Sequence, residues 1–130
     1  MGAIPDQYHD LFEKPTIAHL GTLTPEGAPH VTPVWIDYDE TTGHLLVNTE
    51  RGRRKERNVD RDPAVGVSMT DPDDPYRRLS VVGEVVSVST EGARAHIDEL
   101  AGRYTGEAAY AEPIETERVL LHIAIEEVLE

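Results

Sequence analysis

Hydrophobic and polar residues alternate along much of the chain, which is typical of β-strands with one buried face. The alternation, together with the turn residues between the runs, predicts six strands. They are expected at residues 16–24, 29–38, 44–49, 64–69, 77–89 and 117–130. The intervening turns are rich in Pro, Gly and Asp, as in "PEGA" after the first strand and "TDPDDP", an expected exposed loop, before the fifth. The chain is therefore predicted to be mainly β, with a largely antiparallel sheet.

Three short helices are predicted beside these strands, at residues 5–13, 52–61 and 90–106. The third carries an apolar stripe at helical spacing; its members are Ala93, Ile97, Leu100 and Ala101. Residues on both faces of 81–88 and 119–125 are apolar, so part of the outer sheet surface should be covered by helices or by a second subunit. Six strands with a helix before the last predict a closed or split β-barrel, which leaves few exposed sheet edges.

The composition of the chain limits the functions it can have. The chain has 130 residues, enough for a single domain spanning 1–130, and its 25 Asp and Glu against 12 Lys and Arg give a net charge of −13. This acidity opposes general binding to nucleic acids or anionic membranes. The absence of cysteine excludes thiol chemistry and Cys-ligated zinc. No apolar run reaches the roughly 20 residues of a membrane span, and no secretion signal is evident, so a cytoplasmic location is expected.

Residues 49–58, "TERGRRKERN", concentrate positive charge in this acidic chain. With the nearby Arg61, the segment holds half of the 12 cationic side chains: Arg51, Arg53, Arg54, Lys55, Arg57 and Arg61. A strand ending at Thr49 and a helix beginning near Gly52 would bring a hydroxyl, free amides and basic side chains together, which favours phosphate binding. Alternating Arg and Glu are equally consistent with a solvated, salt-bridged helix face. The residues alone leave both interpretations open.

A second informative stretch is "PHVTPVWID" at 29–37. Pro33 has no N–H for a sheet ladder, so it predicts an edge or irregular position with free backbone groups beside it. Trp35 offers a flat surface for a ligand, although a core Trp beside a bulge is an equal alternative. The histidines lack metal-ligand spacing and no nucleophile motif is present, so neither a metal site nor a named catalytic residue is predicted.

These stretches resemble the split-barrel flavin and deazaflavin oxidoreductases, the superfamily of the pyridoxamine 5′-phosphate oxidases. The likeness lies in "LGTLTPEGAPHVTPVWIDYD", "LLVNTERGRRKERNVDRDPAVGV" and "DPYRRLSVVGEV", in this order, over about 16–126. It is strongest to short members identified as F420-dependent enzymes, a group that includes biliverdin reductases. The resemblance implies a six-stranded antiparallel split β-barrel with short flanking helices, and a homodimer that binds its cofactor between two barrels. The C-terminal Trp and Arg segment of true pyridoxamine-phosphate oxidases is missing, so that reaction is not expected.

The resemblance also implies a set of cofactor-binding residues. The cofactor phosphate would be held by Arg53, Arg54 and Lys55, with support from Thr49 and Asn58. The ring would lie against the backbone of four residues and beside two more, namely Thr32, Pro33, Val34 and Trp35, then Val47 and Asn48. The facing subunit would contribute Tyr76 and Arg77.

The implied activity is transfer of hydride from reduced coenzyme F420 to a conjugated or unsaturated small organic substrate. F420 and FMN both carry a phosphate, so an FMN-dependent oxidoreductase of the same fold is the alternative. Arginines beyond the needs of one phosphate (Arg51, Arg57 and Arg61) favour F420, which has a polyglutamyl tail, unless they balance neighbouring acids. A non-enzymatic carrier of flavin or F420 is a further alternative. A nucleic-acid-binding module is opposed by the net charge.

Overall fold

The computed structural model describes residues 2–129, and its strands form one antiparallel sheet. The strands are β1 (Ala18–Leu23), β2 (Pro29–Val34), β3 (Ile36–Asp39), β4 (His44–Glu50), β5 (Ala64–Asp71), β6 (Asp74–Ser89) and β7 (Arg118–Leu129). A 3-10 helix (Asp6–Phe12) precedes them, α1 (Arg54–Arg61) follows β4, and α2 (Ala93–Thr105) lies between β6 and β7. The spatial order of the strands is β2-β1-β5-β6-β7-β4-β3.

The two edges of this sheet meet at Trp35. Within residues 2–129, β2 pairs with β1 and β3 pairs with β4, at opposite ends of the sheet. Because Trp35 alone separates β2 from β3, the sheet must curl until its edges come together, yet no ladder joins them among the described residues. This is the predicted split barrel. The strand expected at 29–38 is two strands, which gives seven instead of six, because the chain leaves one edge of the sheet and joins the other at Trp35.

The hydrophobic core fills the inside of the curl. Inward side chains from strands across the sheet are buried, and five of them are at most 1% exposed: Leu20, Leu45, Val47, Leu79 and Leu121. On the outer face, Leu46 of β4 and Leu120 of β7 pack against Ala93 of α2. The predicted cover over the apolar outer face is therefore supplied, at β4 and β7, by α2.

Gly83 allows the long strand β6 to pass close to β7. The register between the two strands shifts between Val82 and Gly83, in agreement with the bulge or bend predicted at this glycine. A Cβ at Gly83 would lie 2.4 Å from the carbonyl oxygen of Ala124. The glycine is therefore required by the close approach of the neighbouring backbone.

The segment 70–75 is a tight turn between two strands and is exposed, as its composition predicts, except at Asp71. β5 continues to Asp71 and β6 begins at Asp74, and the side chain of Asp71 is buried. Lys14 and Arg77 each donate to Asp71 at 2.8 Å. These hydrogen bonds, led by that from Lys14, hold the pKa of Asp71 far below its usual value. A cation distant in sequence thus makes burial of this acid possible.

Among the helices of residues 2–129, none combines the length and the apolar character that crossing a membrane requires.

Candidate functional site

A cavity of about 380 Å³ opens where the sheet edges meet and α1 begins. The sheet contributes residues near Trp35 and the end of β4, while α1, α2, β7 and the segment after α2 supply the rest. The lining residues are Ile17, Pro33, Val34, Trp35, Asn48, Thr49, Arg53, Lys55, Ile97, Tyr110 and Arg118.

The charge of this cavity is opposite to that of the protein. Its lining includes Arg53, Lys55 and Arg118, and none of the described residues that line it is acidic. The chain as a whole has a net charge of −13. A cavity with three cations is electrostatically suited to an anion.

The start of α1 positions two of the cations. β4 ends at Glu50, and Gly52, with a φ of 95°, turns the chain towards the helix. Arg53 has extended backbone angles and gives the helix no side-chain cap, while the carboxylate of Glu56 accepts from the Gly52 amide at 2.8 Å. The first-turn amides are thus left for solvent or a ligand.

The positive charges of Lys55 and Arg118 are energetically unfavourable in the folded protein. Burial lowers the pKa of Lys55, and repulsion from Arg53 and Arg118 lowers it further. Burial likewise lowers the pKa of Arg118, against a partial opposing effect of Glu50, whose carboxylate lies 4.0 Å from the guanidinium. Both shifts would be relieved by an anion placed among the three cations.

Glu50 and Tyr110 organise the segment that follows α2. One oxygen of the buried Glu50 carboxylate accepts from the amides of Glu115 and Thr116, each at 3.0 Å. Burial opposes the charge of Glu50, but these hydrogen bonds outweigh it and lower the pKa. Glu50 thus anchors residues 115 and 116, and Tyr110 of the same segment lies under Arg118, whose guanidinium carbon is 4.9 Å from the ring centroid.

Aromatic rings form another wall of the cavity. Trp35 stacks on Tyr104 with centroids 5.0 Å apart and planes inclined by 13°, and Tyr110 meets Trp35 edge-on at 6.1 Å. The Tyr104 hydroxyl accepts from the Ile36 amide at 3.0 Å and donates to the Thr16 carbonyl at 2.6 Å. Trp35 is therefore held between the two sheet edges, with part of its ring surface available to a ligand.

Seven of the residues named from the sequence line this cavity: Pro33, Val34, Trp35, Asn48, Thr49, Arg53 and Lys55. Thr32 precedes them on β2, and its buried hydroxyl has no hydrogen-bond partner among the described residues. Arg54 is exposed and lies outside the lining. Val47 belongs to the hydrophobic core, and the buried Asn58 donates to the Thr22 hydroxyl at 3.0 Å.

The other two predicted residues, Tyr76 and Arg77, line a second cavity of about 430 Å³. Arg77 is already paired there with Asp10 at 2.6 Å and Asp71 at 2.8 Å. In the described chain they do not meet the first cavity. Their predicted role, which requires a facing subunit, stays a prediction.

Four lining residues were not indicated by the sequence: Ile17, Ile97, Tyr110 and Arg118. Arg118 begins an apolar strand, a position where a charged residue is usually solvated. Tyr110 lies in a segment without regular structure. No local pattern distinguishes either residue, because both reach the cavity through tertiary packing.

Comparisons with known proteins agree with this fold. A solved structure named F420 Reductase is 32% identical, with 97% of this chain and 98% of that chain covered and a TM-score of 0.84. A conserved hypothetical protein from Mycobacterium tuberculosis is 22% identical, with 97% and 83% covered and a TM-score of 0.71. A protein of unknown function from Agrobacterium tumefaciens is 20% identical, with 97% and 57% covered and a TM-score of 0.71.

The last two likenesses show the fold alone. A search of curated proteins finds no significant match. The family described as Pyridoxamine 5′-phosphate oxidase matches residues 4–130, nearly the whole sequence. This chain therefore belongs to the pyridoxamine 5′-phosphate oxidase family of split-barrel proteins.

Proposed function

We propose that this protein is an oxidoreductase that binds coenzyme F420 and passes hydride to a conjugated or unsaturated small organic substrate. The family and the likeness to an F420 reductase support an oxidoreductase of the flavin or deazaflavin split-barrel kind. The observation that carries the site assignment is the cavity itself, where Arg53, Lys55 and Arg118 gather without an acidic lining residue in a strongly acidic chain.

These three cations fit the phosphate of the cofactor. The guanidinium groups of Arg53 and Arg118 can each present two N–H donors to phosphate oxygens, and Lys55 adds a compact charge. Thr49 lines the same cavity, as do Arg53 immediately before α1 and Lys55 in its first turn. Binding would relieve the mutual repulsion of the cations, so the site is organised for an anion before it arrives.

The flat part of the cofactor fits the other wall. β2 is an edge strand, so backbone groups near Pro33 are free on one side, as Pro33 itself predicts. Trp35 and Ile17 would bound the ring and exclude water from it. When bound, F420 supplies the hydride, and the protein's residues orient it and hold its charge.

The choice of F420 over FMN now rests on the likeness to the F420 reductase. Two of the arginines expected to meet a polyglutamyl tail have other partners. Arg51 donates to Glu117 at 2.6 Å, and Arg61 donates to the Leu23 carbonyl. Arg57 remains exposed on α1 and available to an acidic tail.

A homodimer with cofactor sites at the interface belongs to the same proposal. Large apolar side chains remain exposed on the strands and beside the cavity, more than isolated surface residues would require: Ile17, Val31, Val82, Val86, Val88 and Leu129. Sedimentation equilibrium should give twice the mass of the 14.4 kDa chain. A monomer at all accessible concentrations would contradict the dimer while leaving the cavity assignment to the binding test.

The binding test is a parallel titration with F420 and FMN, followed by the fluorescence of Trp35, the single Trp of the chain. F420 should bind more tightly than FMN. Arg118→Met should weaken F420 binding about 10–150-fold, the loss of roughly 1.5–3 kcal/mol for a charge-assisted contact. Arg54→Met, at an exposed position outside the cavity, is the matched control and should change binding little.

Preference for FMN would assign the protein to the flavin-dependent alternative. Binding of neither cofactor, or a larger effect of Arg54→Met than of Arg118→Met, would contradict the site. If F420 binds, oxidation of the reduced cofactor should accelerate with a suitable unsaturated acceptor. Binding without acceleration by any acceptor would favour a carrier.

A further inference from the structure

The side chain of Asn48 connects the cavity to α2 in one defined orientation. Its Oδ1 accepts from Nε of Arg118 at 2.8 Å, and its Nδ2 donates to the Ala93 carbonyl at 2.8 Å. A guanidinium N–H only donates and a carbonyl only accepts, so these two partners determine which end of the amide is oxygen. The Nδ2 group is also 3.2 Å from Nδ1 of His96. Nδ2 must therefore be the donor in this contact as well.

This orientation determines the proton position on His96. Because Nδ1 accepts from Asn48, the neutral ring carries its proton on Nε2. Nε2 lies 3.0 Å from Oδ2 of Asp37, to which it donates. Oδ1 of Asp37 accepts from Arg103 at 3.1 Å. A continuous chain of hydrogen bonds thus runs from Asp37 through His96 and Asn48 to the cationic cavity.

We infer that His96 is a positioning residue for the anion site, whose neutral ring holds the Asn48 amide so that Arg118 keeps its place among the cations. The inference deepens the proposed function, and it rests on that function in taking the bound anion to be the cofactor phosphate. His96 itself does not line the cavity. It acts through Asn48, which does.

Protonation of His96 would break this chain. An imidazolium carries hydrogen on Nδ1 as well, so two donors would face each other at the Asn48 contact. Flipping the amide would give His96 an acceptor. It would, however, place the donor Nδ2 against the Arg118 N–H and the acceptor Oδ1 against the Ala93 carbonyl. With His96 protonated, neither orientation of the Asn48 amide satisfies all of its partners. A poorly hydrated polar group without a hydrogen-bond partner costs free energy. Acidification should therefore loosen Arg118.

The charged groups around His96 act in opposite directions. Asp37 on β3 favours the protonated ring, whereas Arg103 on α2 opposes it and also competes for the same carboxylate. Burial, and then repulsion from His44 on β4, lower the pKa of His122 on β7, and His96 adds a smaller repulsion.

Two substitutions distinguish a positioning role of His96 from a purely structural role in attaching α2 to the sheet. In His96→Asn, the amide oxygen can take the place of Nδ1 as the acceptor for Asn48, and it does not titrate. In His96→Gln, the longer side chain can reach Asp37 but leaves Asn48 without its acceptor. His122→Gln is the matched control, because it removes a neighbouring titratable ring that is bonded to Ser89 and not to Asn48.

The first experiment needs no ligand. In the ¹⁵N spectrum of the apoprotein, the neutral ring of His96 should carry its proton on Nε2. The Arg118 Nε–H signal should be protected, and it should broaden as His96 titrates. His96→Gln should lose this protection and His96→Asn should retain it at every pH. The inference would be overturned if the Arg118 Nε–H signal did not change with protonation of His96 or with either substitution.

The second experiment measures F420 affinity over the same pH range. In the wild type, affinity should fall about 3–10-fold as His96 becomes protonated, and His96→Gln should show a similar loss at neutral pH. His96→Asn should remove that acidic fall, and His122→Gln should leave it unchanged. An equal fall in His96→Asn would overturn the inference. If neither F420 nor FMN binds, the proposed function fails, and the ¹⁵N result still decides the role of His96.

Discussion

Lys55→Met should make the folded apoprotein more stable and weaken F420 binding. Burial and two neighbouring cations lower the pKa of Lys55, so its charge costs free energy in the folded state at neutral pH. The unfolded chain binds a proton at Lys55 more readily, and this destabilising contribution is fully present below the folded-state pKa. Removing the charge should therefore raise the free energy of unfolding, whereas a lysine held by a structural salt bridge would give the opposite result.

The loss of binding can be bounded from the geometry. Lys55 is one of three cations lining the cavity, and a hydrogen bond to a charged group is worth roughly 1.5–3 kcal/mol. Because Lys55 is only partly buried, solvent screening places the expected loss near the lower end of this range. We expect about 1.5–2 kcal/mol, which is about 10–30-fold in the F420 dissociation constant.

The assay combines urea unfolding of the apoprotein with an F420 titration of the same preparations, at fixed protein concentration. Arg54→Met is the matched control, since Arg54 is an exposed cation of the same helix outside the cavity. It should change stability by no more than about 0.5 kcal/mol. A less stable Lys55→Met apoprotein, or one with unchanged F420 affinity, would refute the reasoning.

Two further predictions concern the barrel itself. Gly83→Ala should lower the free energy of unfolding by about 1–3 kcal/mol, because its Cβ would lie 2.4 Å from the Ala124 backbone oxygen. Gly66→Ala is the control, because a Cβ there meets nothing within 4 Å. Equal urea midpoints for the two variants would contradict this prediction. Asp71 has a lowered pKa, so its charge stabilises the fold above pH ~4, the ordinary value for Asp, and this contribution is lost as the pH falls further towards the folded-state pKa. Asp71→Asn should therefore be less stable at neutral pH and lose less stability on acidification, and an unchanged acid transition in thermal unfolding would contradict this.

Local patterns predicted much of the fold and part of the site. The alternation of apolar residues located the strands, because a half-buried strand repeats every two residues whatever it pairs with. Pro33 predicted an edge position, since a residue without an N–H cannot serve a central ladder. The cluster at 49–58 was consistent with either a phosphate site or a solvated helix face, and the structure places Arg53 and Lys55 of that cluster in the cavity lining.

Only the tertiary structure decided which residues meet. The residues on both sides of Trp35 predict a single strand over 29–38, so nothing local indicates that the chain changes from one sheet edge to the other there. Arg53 and Arg54 are the same residue type in adjacent positions, but Arg53 precedes α1 with extended backbone and lines the cavity, whereas Arg54 does not line it. Arg118 arrives from a strand more than 60 residues away and is oriented by Asn48. Periodicity determines which face of each element is buried, but the closure of the sheet determines which faces come together, and the cavity forms where they do.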